Sequence, residues 1–376
     1  MEPSSEHDVE QRSAVSLPVV AAALVIALIA GAALAWVLIN RDDEETLTAA
    51  AAIEELDLAA PLFSAGDPSS LVHLILDPVR EGENTLEIRF TKADSGPEPV
   101  SVPMESVQVA IEQLTGEGAA QTIELQPRDD GSYAPENAIQ LENGWWEFTV
   151  TVDATDEEPR DIRFYVLAPD PNVNGFDAVP SHDSDDKAQE VFEAGLQRWA
   201  TMQSLKYIER LSSGVGEVAV AQREVTSGID GNPAGFHLVS AQFELLTIGD
   251  RTWQRTPGSD WVERTTLEVF SPSAWPRLYT GATGFVLGKT VTINGRETQI
   301  VTFHVPATES LLAAWYAWWV DEETGYVIRE AMISELHYMI YEFGEFDQPI
   351  HLEPPPSAAT PGASPVDSPV ASPSPA

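Results

Sequence analysis

The sequence predicts a mainly β chain. It reads as a single transmembrane helix, an antiparallel β-sandwich, and an α+β domain built on a strongly curved sheet with helices on its concave side. Three observations carry this. Residues Leu17–Ile39 form an uncharged apolar run, residues 71–168 alternate apolar and polar at a period of two, and a helix-period stripe at 187–205 leads back into period two.

The run LPVVAAALVIALIAGAALAWVLI is 23 residues long. As a helix it reaches about 34 Å, enough for the ~30 Å hydrocarbon core of a bilayer. Pro18 falls in its first turn, where a missing N–H costs little, and Trp36 stands near the headgroup level of the far end. The alternative is a cleaved signal peptide with an A-x-A-like site at Ala33-Leu34-Ala35. The acidic segment 1–16, with Glu2, Glu6, Asp8 and Glu10 against Arg12, is not the basic leader such a peptide carries. Arg12 and Arg41 cancel as orienting charges, so topology rests on the domains C-terminal to the helix. The expectation is a single-pass protein of the cell membrane, with its C-terminal domains outside the cytoplasm.

Composition excludes several classes. With 20 Lys+Arg against 60 Asp+Glu, the 376-residue chain carries a formal charge of −40, which repels phosphate backbones and anionic headgroups. No nucleic-acid partner is expected. The absence of Cys removes disulfides, thiol catalysis and Cys-based metal sites together, so the fold must rest on its core. Apolar residues, at 43%, supply the material for one.

Residues 40–70, RDDEETLTAAAAIEELDLAA and beyond, read as a juxtamembrane stalk or a short helix. From Leu71 the period becomes two: Leu86, Ile88 and Phe90; Val107, Val109 and Ile111; Trp146, Phe148, Val150 and Val152; Ile162, Phe164 and Val166. Turn signals EGEN, ADSGPEP, DDGS and ENG separate these runs, as in an antiparallel sandwich. The segments PVREGENTLEIRFTKADSGPEPV and DDGSYAPENAIQLENGWWEFTVTV resemble the YtkA-like family of immunoglobulin-like modules over residues 71–168. That resemblance implies company with copper-resistance membrane proteins. Copper sites want clustered His, Met or Cys, and this segment has only His73 and Met104, so no metal site is expected in it.

Residues 169–186, PDPNVNGFDAVPSHDSDD, read as a linker. Asp170, Asn172, Asn174 and Gly175 match the first half of an EF-hand loop, but its twelfth position is Ser181 rather than a bidentate Glu. A turn-rich linker is the plainer reading. Ser184–Lys187 spells S-x-x-K without any companion motif.

In the domain 187–353, Val191, Phe192, Leu196, Trp199 and Met202 form the apolar stripe of a helix over Lys187–Leu205. A strand meander follows, with hairpin turns at Asn294-Gly295 and Glu323-Thr324-Gly325. The order of RWATMQSLKYIERL, TVTINGRETQIVTFHVP, WWVDEETGYVIRE and YEFGEFDQPIHLEPP resembles the LolA-like and LppX-like lipoprotein-carrier superfamily over about 186–354. The resemblance implies a half-barrel that encloses an apolar cavity for acyl chains. Phe243, Leu245, Trp253, Phe303, Trp315 and Trp318 are the candidate ligand-contacting residues; the alternative is that they simply pack the core.

The last segment, 354–376, has eight Pro among Ser and Ala and lacks the apolar material to order itself. His7, His73, His182, His237, His304, His337 and His351 are scattered, and HExxH, GxSxG and P-loop patterns are missing. The chain is therefore expected to be no enzyme and to need no cofactor. The leading expectation is a membrane-anchored binding protein that holds a lipid or other amphiphile in a cavity of several hundred Å³ in 187–353. The alternative is a cell-envelope module docking a membrane-protein partner through an apolar patch on 71–168, with a filled core in the second domain. The third is a copper-resistance-associated protein without its own copper site.

Overall fold

Strict alternation becomes two-sided sheets in the computed structural model, which describes residues 53–62, 70–92, 104–116, 120–154, 158–216, 218–228, 233–265, 271–308 and 311–356. The fold-class expectation is corrected on its first element. Among the described residues no helix is long and apolar enough to cross a membrane, and Leu17–Ile39 lies outside them. The described residues form two β domains. The Pro/Ser/Ala tail from 357 onward also lies outside the described residues.

The first domain is a pair of antiparallel sheets. One has the order β1 (Leu56–Pro61), β2 (Ser70–Asp77), β3 (Gly82–Lys92), β7 (Tyr133–Ala134), β6 (Gln126–Pro127), with β8 (Ile139–Leu141) also on β3; the other runs β10 (Arg160–Ala168), β9 (Gly144–Ala154), β4 (Met104–Gln113), β5 (Gln121–Glu124). In β3 (Gly82–Lys92), Leu86, Ile88 and Phe90 turn inward. In β9 (Gly144–Ala154), Phe148, Val150 and Val152 meet them. The inner faces form one apolar core, as alternation demands. The sandwich starts earlier than Leu71. Leu56–Pro61 is β1, paired antiparallel with β2 (Ser70–Asp77), so the end of the expected stalk is sheet.

The second domain opens with helix α2 (Asp186–Thr201), after a one-turn helix α1 (Pro171–Asn174). Asp185 caps α2 by accepting from the Ala188 N–H. Ala188, Phe192, Gly195 and Trp199 form its buried stripe. It ends four residues short of Leu205, because β11 (Ser204–Ser212) claims that stretch. The rest is one antiparallel eleven-stranded sheet, in which β11 pairs with both β12 (Val218–Thr226) and the last strand β21 (His337–Gly344). First and last strands thus meet in the middle. All eight residues of β19 (Ala314–Asp321) are buried, since both of its faces are covered.

One face of this sheet packs on the sandwich. Tyr165 and Trp319 rings meet at 4.7 Å, and Arg329 donates to the Tyr165 hydroxyl at 2.8 Å. The junction 170–174 fastens the two domains. Asp170 Oδ1 accepts from the N–H groups of Asn172 and Val173 and from the Tyr338 hydroxyl at 2.8 Å. Asn172 donates to the Ser334 carbonyl, and Asn174 donates to the carbonyls of Pro78 and Val79. The side chains that matched half an EF-hand are committed to this joint. Among the described residues no group of three or more His, Asp or Glu is arranged to hold a metal.

Candidate functional site

The other face of the sheet, covered by helix α2 and a 3-10 helix, carries the candidate site. Residues opposed across antiparallel strands share a face. The register Val301–Trp318–Glu330–Tyr341–Glu209 therefore lays one row across β18 (Arg296–Val305), β19, β20 (Val327–Ser334), β21 and β11. Beside it run Phe303, Tyr316, Phe343 and Tyr207.

Two elements close over this floor. Helix α2 lays Phe192 against Trp318, at 5.1 Å, and against Phe303, at 4.7 Å. Gly195 lets the helix come close: a Cβ there would stand 3.2 Å from the Trp318 ring. The second element is a 3-10 helix, Pro272–Tyr279, carrying Pro272 and Pro276. It inserts two rings. Trp275 stacks on Trp199 at 4.8 Å and edges onto Tyr207, Phe343 and Tyr341. Tyr279 edges onto Trp318, Tyr316 and Phe303. Trp199 and Trp318 are 0% exposed and Trp275 is 4% exposed. Aromatic side chains occupy the chamber. A cavity between sandwich and sheet, lined by Phe164, Tyr165 and Met339 among others, holds only about 10 Å³.

Under these rings lie polar groups that an apolar core has no need of. Glu330 is 2% exposed and its Oε2 accepts from the Tyr279 hydroxyl and the Trp318 indole N–H, both at 2.6 Å. Burial pushes its carboxyl up to about 7, against the pull of those two donors. Tyr279 is pushed well above the usual phenol range by burial and by the Glu330 charge. Two positions along the row, Glu209 Oε1 accepts from Arg223 at 2.7 Å. Burial raises Glu209 despite the guanidinium, while Arg223 is held above its ordinary value against burial by Glu209, Tyr207 and Tyr341 together.

The six residues singled out in the sequence do not converge on one place. Phe303 and Trp318 lie in the chamber, 5.0 Å apart. Leu245 is on the same face further out, in register with Leu238 on the free wing of the sheet. Trp253 and Trp315 are on the opposite face. There Trp253 pairs with Leu246 under the Arg251 guanidinium, and Trp315 stacks on His304. Phe243 sits in the turn after β13 (Gly235–Ser240), where its carbonyl accepts from Ser240. Trp199, Trp275, Tyr279, Glu209, Arg223 and Glu330 are chamber residues that sequence reasoning did not name as such. Glu330 carried one usable signal: it falls on the same alternate positions as the apolar Met332 in IREAMIS.

No family model matches the chain, and no curated protein matches it. Among solved structures it is similar to LprF from Mycobacterium bovis, at 12% identity over 46% of this chain and 99% of that one, with a TM-score of 0.38. LppX from Mycobacterium tuberculosis matches at 16% identity over 45% and 100%, TM-score 0.35. A LolA-superfamily protein from Nitrosomonas europaea matches at 10% identity over 42% and 92%, TM-score 0.20. LppX and LolA are the names the second half was expected to resemble. Scores this low mark a coarse likeness, and no ligand follows from it. The YtkA-like assignment has no counterpart among these matches.

Proposed function

We propose that the chain is a non-catalytic binding protein that takes a lipid or other amphiphile onto the helix-covered face of its second domain. One observation supports this above others. Beside helix α2, the floor of the sheet is covered by two rings from a short, proline-bearing 3-10 helix, Trp275 and Tyr279. Withdrawing that segment frees one side of an aromatic floor of Tyr207, Phe343, Phe303, Tyr316 and Trp318, bordered by Phe192 and Trp199 of α2. Apolar area of that extent is what an acyl chain needs. The chamber expected to hold an open cavity of several hundred Å³ is filled by these rings, which counts against a preformed site, so the proposal requires the 3-10 helix to move for uptake. The proposal keeps both β domains outside the cytoplasm, which protease accessibility on intact cells tests.

The test is native mass spectrometry with lipid extraction on the full-length chain, after incubation with vesicles of bacterial polar lipids. Trp275→Ala, which empties one ring site, is run beside it. Retained lipid in the wild type, increased in the variant, supports the reading. Apo masses for both dispose of it.

A second reading, a cell-envelope docking module, is favoured by the filled chamber. It also called for an apolar patch on 71–168. Among the described residues the well-exposed large apolar side chains are Phe176, Ile208, Val215, Val239, Val262 and Leu312, all outside that segment. Co-purification of one stoichiometric membrane protein with the wild type, lost on removing residues 71–168 from contact by surface charge substitutions, would support it.

A further inference from the structure

The polar row beneath the rings specifies what kind of head group the chamber receives. Trp318, Glu330, Tyr341 and Glu209 follow one another across four adjacent strands, with Arg223 of β12 bound to Glu209. Among the described residues, Glu330, Glu209 and Arg223 are the charged groups on this face of the central strands. From the elements packed over it come Tyr279, which donates to Glu330, and Trp199, whose indole N–H is fully buried with no hydrogen-bond partner. An unpaired buried donor costs about 1–3 kcal/mol. Trp199 stacks on the Trp275 ring, so its N–H belongs to the same enclosed cluster that Trp275 fills.

Anionic heads fit this floor badly. Two carboxylates face one guanidinium, and that guanidinium is already engaged by Glu209. A carboxylate or phosphate placed there would stand beside Glu330 with no cation to meet it, a costly arrangement in a buried site. A head that donates hydrogen bonds does the reverse. It replaces the Tyr279 hydroxyl on Glu330 when the 3-10 helix withdraws.

We infer that the chamber selects amphiphiles with a hydrogen-bond-donating amine or hydroxyl head over those with an anionic head, with Glu330 as the receiving group. The inference rests on the amphiphile-binding reading. Trp318 and Tyr279 hold the carboxylate in place, and the aromatic rings take the alkyl chain.

Three probes of equal chain length separate the terms: hexadecylamine, hexadecanol and hexadecanoate, each titrated into the full-length chain and followed by native mass spectrometry. The amine and the alcohol are expected to bind at least about tenfold more tightly than the acid, a difference of ~1.4 kcal/mol. Glu330→Gln, which preserves shape and acceptor but abolishes the charge, is expected to lower amine affinity by about tenfold while leaving the alcohol within about threefold. Tyr279→Phe, which frees Glu330 Oε2 of one donor, is expected to tighten amine and alcohol binding. Equal or tighter binding of the acid overturns the inference, as does an amine-to-acid ratio unchanged in Glu330→Gln. Uptake of none of the three, in the wild type or in Trp275→Ala, removes the amphiphile reading itself and the inference with it.

Discussion

Tyr279 donates its hydroxyl hydrogen to Glu330 Oε2 at 2.6 Å, and this one bond ties the 3-10 helix to the floor of the sheet. The acceptor is a buried carboxyl whose proton affinity is raised to about 7. Closure of the chamber and titration of its floor are therefore linked.

Stability should fall as pH rises through neutrality. Glu330 is raised from 4.5 to about 7 and Asp170 from 3.8 to about 6, both chiefly by burial. The folded state binds these protons more tightly than the unfolded chain. Their contribution is full below the unfolded values and is lost as pH climbs through about 6 and 7. Urea denaturation at pH 5 and pH 8 should differ accordingly. Glu330→Gln should be more stable than wild type at pH 8, by up to about 3 kcal/mol, and should lose most of the difference at pH 5. A flat pH profile for the wild type would contradict the buried position of both carboxyls.

Asp170→Ala should loosen the joint between the domains. It removes the cap of α1 and leaves the buried Tyr338 hydroxyl without its acceptor. A lost cap and an orphaned hydroxyl together cost about 2–4 kcal/mol. Tyr338→Phe leaves the cap in place and should cost less. Limited proteolysis in the 171–185 segment is the second readout: accelerated cleavage is expected for Asp170→Ala and little change for Tyr338→Phe.

The Glu209–Arg223 pair should show strong coupling. Both side chains are buried, and Arg223 also faces the Tyr207 and Phe236 rings. Arg223→Met alone leaves Glu209 buried without its cation, a loss of about 3–5 kcal/mol. Adding Glu209→Leu should recover most of that loss. Additive losses in the double-mutant cycle would mean that the pair is not coupled in solution.

Much of this architecture was legible in the chain because its signals are local. Period two sets the faces of Leu86, Ile88 and Phe90, and of the helix stripe read from the sequence Phe192 and Trp199 are buried in α2 while Val191 and Leu196 are half-buried beside them. Leu56 and Leu58 alternate about Asp57 in the same way, yet they follow an Ala-rich run that reads as helix, and only pairing with β2 decides for a strand. The site was harder. Both faces of β19 are buried, so Trp315, Trp318 and Trp319 look alike in sequence although Trp318 faces the chamber and the other two face away. Alternation assigns residues to opposite sides without saying which side the helices cover. The Tyr279–Glu330 bond joins residues 51 positions apart, a separation no local pattern reports.

The bulged strand β17 (Thr283–Ile293) offers the sharpest steric test of how the sandwich seats on the sheet. At Gly288 a Cβ would stand 2.7 Å from the Leu114 carbonyl oxygen and 2.8 Å from Ile300, both parts of the packed interior. The next residue seals the contact: the Lys289 N–H donates to that same carbonyl at 2.9 Å, and its ammonium pairs with Glu112 at 2.7 Å. Neither the backbone of Leu114 nor the root of Ile300 can swing aside as a flexible side chain would. Gly288→Ala should therefore cost at least about 2 kcal/mol, through displacement of β17 from the sandwich. Gly344→Ala, at a strand end with no atom within 4 Å of its Cβ, serves as the control and should stay within about 0.5 kcal/mol of wild type. Equal denaturation midpoints for the two variants would show that the contact between β17 and Leu114 is not maintained in solution.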